Sequence, residues 1–181
     1  PSGHLAPCIV IATDGKDEWL PHSGTPDYET LDKADLVNVI RNAGIAGMGG
    51  AGFPSAVKLS LRPDTHITTL IINGTECEPY ITADDILMRE RADRIIEGTK
   101  ILRHIIGPQE TLIGVEDNKP AAAEAMRRAL PPQGNIFVEE VPTKYPQGSE
   151  KMLITALFGV EIPSGKLPLS LGMVVNNVGT L

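Results

Sequence analysis

Four glycines occupy the six positions 47–52, within the run Gly47-Met48-Gly49-Gly50-Ala51-Gly52-Phe53-Pro54. Without side chains at those positions a backbone can approach a ligand closely and turn its N–H groups inward, an arrangement that suits phosphate oxygens. A helix predicted to begin at Pro54 adds its positive end to the same place. The spacing satisfies G-x-G-x-x-G, yet a dinucleotide fingerprint of that form follows a strand, and here a helical pattern precedes the loop. A bare turn between two helices needs only one or two glycines, so four favour a bound, phosphate-bearing cofactor. Lys58, one turn past Pro54, is placed to meet a phosphate or a ring edge; taken alone it reads as a surface lysine.

A second cluster, Asn73-Gly74-Thr75-Glu76-Cys77-Glu78-Pro79-Tyr80, follows the apolar run Thr69-Leu70-Ile71-Ile72. That run predicts a buried strand, and the carboxyl ends of such strands are where open α/β sheets bind ligands. An amide and two carboxylates facing one crevice suit ribose hydroxyls, ring N–H groups or a carboxamide; a metal would call for histidine or more oxygen ligands. The alternative is an acidic, solvated loop. Cys77 has no adjacent histidine to activate it. Two further segments, Tyr145-Pro146-Gln147-Gly148-Ser149-Glu150-Lys151 and Asn176-Asn177-Val178-Gly179-Thr180, place polar groups before a helix and after a strand, and each alone is an ordinary helix start or turn.

The elements that must position these groups alternate. Leu31, Leu36, Val39 and Ile40 recur at helical spacing and Ala43-Gly44 closes that helix. A short helix is expected from Pro54 to the stop at Arg62-Pro63. After the strand at 69–72 come helices at 84–90 and 92–106, a strand at 111–115, a helix at 120–130, a strand at 136–138, a helix at 149–158 with Ser149 placed to cap it, and a strand at 173–175. Such alternation predicts an α/β fold, a Rossmann-like and mostly parallel sheet with helices on both faces. Residues 1–25, with Cys8-Ile9-Val10-Ile11-Ala12 as a short β segment among Gly and Pro, read as the tail of a preceding β-domain or an edge hairpin, leaving 26–181 as the main domain.

Composition narrows the function classes. With 181 residues, 41% of them hydrophobic, the chain can bury one full core. A net charge of -7 and scattered Lys and Arg argue against nucleic acid as a partner. No apolar run approaches the roughly 20 residues that span a bilayer, and the opening Pro-Ser-Gly-His is unlike a signal peptide. Two cysteines, Cys8 and Cys77, fall short of the roughly four thiolates an iron–sulfur cluster takes, and they fit a reducing compartment. No His or Ser constellation for covalent catalysis is present, so no catalytic side chain and no metal ligand is assigned.

In order along the chain, GGAGFPSAVKL, NGTECEPYITADD, KYPQGSEK and NNVGT closely resemble the C subunit of the Rnf ion-translocating electron-transport complexes. More distantly they are similar to the NADH-oxidising flavoprotein subunit of respiratory NADH:quinone oxidoreductase. The likeness runs from about Asp27 onward, and four motifs in register make it specific. The resemblance implies a Rossmann-like FMN-binding domain, with a β-grasp domain and a region holding two [4Fe-4S] clusters lying outside this stretch. It further implies that Gly47, Gly49, Gly50, Ala51, Gly52 and Lys58 hold FMN, that Phe53 stacks near a nicotinamide, and that Asn73, Glu76 and Glu78 serve flavin and NAD(H). Tyr145, Gly148 and Glu150, with Asn176, Asn177 and Thr180, complete the implied set.

Met48 stands where the respiratory pattern has arginine, Thr75 where it has aspartate, and Ser149 and Gly179 where it has glutamates, which takes charge out of the site. The implied chemistry is hydride transfer between nicotinamide and flavin, with single electrons then passing to clusters elsewhere in the protein. The implied partners are the other subunits of a membrane electron-transport complex and an NADH or ferredoxin-type electron partner, at the cytoplasmic face of the inner membrane. A flavin-free scaffold that joins iron–sulfur domains to membrane subunits is the alternative, and the charge-losing substitutions favour it modestly.

Overall fold

The structure, a computed structural model, describes residues 8–19, 21 and 24–181. Its centre is a four-stranded, all-parallel sheet of β1 (Thr69–Gly74), β2 (Glu110–Glu116), β3 (Ile136–Val141) and β4 (Met173–Asn177), in the order β3-β2-β1-β4. The chain steps outward from β1 to β2 to β3, then returns across the sheet to lay β4 on the far side of β1. The order therefore reverses between β1 and β4, and the crevice at their carboxyl ends is where such sheets bind ligands. The register pairs Ile72 with Ile113 and with Asn176, so the polar ends Asn73-Gly74 and Asn176-Asn177 emerge side by side.

Alternation along each strand sorts the core into two layers. Leu70, Ile72, Ile113, Val115, Ile136 and Val174 face a large cluster completed by helices α1 (Lys33–Asn42), α2 (Ser55–Leu59), α3 (Ala83–Glu90), α4 (Ala92–Ile106) and α5 (Pro120–Ala129). Ile71, Val141, Met173 and Val175 face the other way, onto Leu153 and Ile154 of α6 (Glu150–Phe158) and onto Ile162. Helices thus cover both faces, as the alternating pattern requires. The periodic helices α3 and α4 lie within a residue of expectation, α4 ending on Gly107, whose φ of 70° reaches the left-handed region that terminates helices.

Three local expectations differ. Cys8-Ile9-Val10-Ile11-Ala12 forms no strand: Ile9 and Val10 are 90% and 88% exposed, and a β-rich run without a neighbouring strand has nothing to complete its ladder. The helix after the glycine loop stops at Leu59, three residues before Arg62, and Pro54 stands at its N-cap and not in its first turn. Ser149 occupies the N-cap of α6 but its hydroxyl makes no capping bond; its carbonyl accepts from the Leu153 N–H at 2.9 Å. None of these alters the layer architecture, which rests on the long periodic elements.

Ile113 is fully buried at the middle of β2, and Ile113→Ala is expected to cost about 2–5 kcal/mol in urea-induced unfolding followed by circular dichroism, the range for a large-to-small change in a packed core.

Candidate functional site

The glycine loop is a closed turn whose ends are tied together. The Gly47 N–H donates to the Phe53 carbonyl at 2.8 Å, and Ala46 and Pro54 form an isolated antiparallel bridge. Gly50 and Gly52 have φ of 97° and 59°, a left-handed backbone that glycine alone adopts freely, and open space lies where a Cβ would stand. The Met48 N–H donates to Thr180 Oγ1 at 3.0 Å, fastening the loop to the chain just beyond β4. Among the described residues the N–H groups of Gly49, Gly50, Ala51, Gly52 and Phe53 donate to no protein acceptor. This exposed run of free N–H groups is where the loop's capacity for an anion resides. The five-residue α2 behind it adds little dipole, contrary to the expectation from sequence.

The strand ends meet the loop. Asn73 donates through Nδ2 to the Gly148 carbonyl at 2.8 Å and accepts at Oδ1 from the Thr75 N–H and hydroxyl, at 3.0 and 2.5 Å. A Cβ on Gly148 would stand 2.7 Å from the Thr75 carbonyl oxygen and 3.0 Å from Cys77 Sγ, so only glycine lets the turn at 145–150 close onto the end of β1. Asn177 accepts at Oδ1 from the Gly179 N–H at 2.8 Å and donates to Asp84 Oδ2 at 2.7 Å. Lys58 donates to Glu150 Oε1 at 2.6 Å and to the Val175 carbonyl, on the edge strand β4, at 2.7 Å. Residues separated by as many as 132 positions are thus joined around one crevice.

Not every expected residue points into it. The carboxylate of Glu76, a buried residue, accepts from the Asp84 and Asp85 N–H groups at 2.9 and 3.2 Å and so caps α3, where a negative charge is favoured. Asn176 turns away from the crevice into a separate cavity of about 140 Å³ that it shares with Ser55 and Thr180, and its Nδ2 is buried without a partner. Phe53 and Tyr145 stand exposed at the rim, and Glu78 lies on the wall of a larger cavity of about 490 Å³ at the ends of the strands. Sequence reasoning missed Asp84 and Lys119. Asp84 reads as a first-turn acid of a helix and Lys119 as a loop residue before Pro120, and only the fold brings them to the site. Burial pushes the Asp84 carboxyl above its usual range; the Asn177 bond opposes this and the Glu76 and Glu78 charges reinforce it.

These loops and this sheet define a parallel α/β domain with a polar, glycine-lined crevice at the carboxyl ends of β1 and β4. The chain belongs to the Nuo51 FMN-binding domain family, which matches residues 40–181. Within it, the chain is similar to the C subunit of the ion-translocating oxidoreductase complex: 52% identical over 181 residues to that of Yersinia pestis bv. Antiqua (strain Antiqua), covering 100% of this chain and 29% of that protein. It is also 50% identical over 180 residues to that of Serratia proteamaculans (strain 568), covering 99% of this chain and 26% of that protein. The chain therefore spans less than a third of the length of these relatives. Among solved structures it is similar to the NAD+-reducing [NiFe]-hydrogenase in its H2-reduced state, with 26% identity and a TM-score of 0.71 over 82% of this chain and 29% of that one.

The residues present fit the family's FMN. Free loop N–H groups and the Lys58 ammonium suit its phosphate, and the open space beside Gly50 and Gly52 lets it lie against the main chain. Among the described residues no group of three or more His, Cys, Asp or Glu side chains could hold a metal ion, and no helix is long and apolar enough to cross a membrane.

Two outcomes follow from this geometry. Gly148→Ala should weaken FMN binding, read by fluorescence titration, while far-ultraviolet circular dichroism stays as in the parent, because the added methyl meets backbone and must push the turn off β1. For Asp84, a folded-state pKa above the unfolded value means that the native protein holds the proton more tightly, so stability falls as pH rises from the ordinary 3.8 through the folded value. Asp84→Asn should accordingly unfold at a higher temperature than the parent at pH 7, with the difference shrinking towards pH 3 as the Asp84 carboxyl becomes protonated in the folded and unfolded states alike.

Proposed function

We propose that this chain is the FMN-binding domain of the electron-transfer subunit of an ion-translocating oxidoreductase complex, and that it exchanges electrons with NAD(H). The observation that carries the reading is the convergence of the free N–H groups of residues 49–53, the Lys58 ammonium and the polar ends of β1 and β4 on one crevice. The family match and the similarity to the C subunit support the flavin and the complex. The [4Fe-4S] clusters that would take the electrons onward belong to the longer protein, and the setting is peripheral, on the cytoplasmic face of the membrane beside the other subunits.

When bound, FMN supplies the capacity to take two electrons as a hydride and release them singly. The chain's own residues bind and align. The loop N–H groups and Lys58 oppose phosphate charge, with Glu150 holding the lysine head in place at 2.6 Å. Asn73 fixes the floor at the end of β1 by bonding both Gly148 and Thr75, so the site's width is set by backbone. Gly47, Gly49, Gly50, Ala51 and Gly52 admit the cofactor close to the main chain, Asn176, Asn177 and Thr180 lie at the end of β4, and Phe53 and Tyr145 offer exposed rings at the rim. Glu78, with Glu76 behind it on the cavity wall, offers acceptors that suit a nicotinamide carboxamide or ribose. No side chain acts as a nucleophile.

The scaffold reading draws on one observation: the Lys58 ammonium, held against the end of β4, is already neutralised by Glu150. A titration with FMN, followed by anaerobic addition of NADH with the oxidised-flavin absorbance recorded, separates the readings. Saturable binding with bleaching is expected; absence of binding would leave the scaffold. Lys58→Ala should weaken FMN affinity about 10- to 100-fold, the effect of losing one hydrogen bond to a charged group, and an unchanged affinity would remove Lys58 from the site.

A further inference from the structure

The cavity of about 490 Å³ at the ends of β1, β2 and β3 has two walls, the segment 76–82 and the segment 143–145, and both are fastened to the short stretch that leaves β2. Lys119 Nζ donates to the Glu76 carbonyl at 3.0 Å and is ion-paired with Glu116, the last residue of β2. Asp117 Oδ1 accepts from both the N–H and the hydroxyl of Thr143, at 2.9 and 2.6 Å. Residue 76 is thereby held twice, by its carboxylate on α3 and by its carbonyl on Lys119. Beyond it Glu78, Pro79, Tyr80 and Ile81 are exposed and belong to no helix or strand, so their direction is set where residue 76 is gripped.

The ion pair is deep, with Glu116 and Lys119 side chains 1% and 10% exposed, and the second Glu116 oxygen has no partner. Desolvating two charges costs stability that a hydrophobic pair of similar volume would not, and a partly satisfied network costs more still. Stabilising the core does not account for such a pair, whereas aiming a loop through a backbone carbonyl does.

We infer that Lys119 and Glu116 are positioning residues for the nicotinamide-nucleotide end of the site: gripping the Glu76 carbonyl, they set where Glu78 stands on the cavity wall, and so tune affinity for NAD(H) and not for FMN. This rests on the reading that the domain binds both. Neither residue hydrogen-bonds the glycine loop, Lys58 or the β4 end; Lys119 reaches β4 only through its charge on Asp84, whose carboxylate accepts from Asn177.

The test uses the full-length protein loaded with FMN, comparing the parent with Lys119→Arg, Lys119→Met and the double change Glu116→Gln with Lys119→Met, which leaves no buried charge unpaired. The FMN dissociation constant, the KM for NADH and the thermal midpoint are measured for each. Expected is a KM for NADH about tenfold higher or more in both methionine variants, the order of effect that a small misplacement of a binding group produces, with FMN affinity as in the parent and most of the loss recovered by Lys119→Arg. An unchanged KM in the double variant overturns the inference while leaving the proposed function standing. Parallel loss of FMN affinity, NADH affinity and thermal midpoint overturns it too, since the pair would then only hold the fold. Failure of the parent itself to bleach with NADH sinks the proposed NAD(H) reading and this inference together.

Discussion

The parallel pairing of β1 with β4 is the constraint on which everything else in this domain depends. Those strands are 104 residues apart where Asn177 reaches the Asn73 carbonyl, yet they lie side by side with Asn73 opposite Asn177. Because β2 and β3 have already been laid on the other side of β1, the crossover to β4 opens a crevice that no helix connection fills. Into that opening come the glycine loop, fastened by Met48 to Thr180, and the turn at 145–150, fastened by Gly148 to Asn73. Neither loop has regular structure of its own. Each is closed by turn bonds of its own and is fixed in place by a bond to the end of β1 or to the stretch just beyond β4.

Charge follows the same logic. The chain carries a net charge of -7, an unpromising balance for a site meant to hold a phosphate. The acids closest to the crevice are spent on protein groups instead: Glu76 on the N–H groups of α3, Asp84 on the Asn177 amide, Glu150 on Lys58. What faces outward is backbone, five N–H groups in succession with no protein acceptor among the described residues. A site built from N–H dipoles needs no net positive charge, which makes it compatible with neutral Met48, Thr75, Ser149 and Gly179 where the respiratory pattern is charged.

Legibility in the sequence tracked how local the cause was. β-Branched runs such as Thr69-Leu70-Ile71-Ile72 and the long amphipathic pattern of α4 announce themselves, because burial on a parallel sheet and a 3.6-residue period leave signatures within a dozen positions. The Cys8-Ile9-Val10 run carries the same β composition and forms no strand, since a strand needs a neighbour and composition does not supply one. Glu76 was legible as an acid at a strand end; that its carboxylate turns back to cap α3 was not, because the cap position depends on how residues 77–82 fold over it.

By itself the sequence determined the alternation of helices and strands, the parallel α/β class, the glycine-rich turn at 47–52 and, through four motifs in register, the kinship with the Rnf family. These follow from periodicity, from glycine's lack of a side chain and from residue order, all of which are properties of the chain as written. Only the tertiary structure decided which carboxylates face the crevice and which are spent on backbone, that Lys58 meets Glu150, that Asn176 turns inward while Asn177 does not, and that the Glu116–Lys119 pair grips the loop at residue 76. The physical reason is that each of these is a contact between segments brought together by strand order, and strand order is a property of the folded sheet that no local pattern encodes.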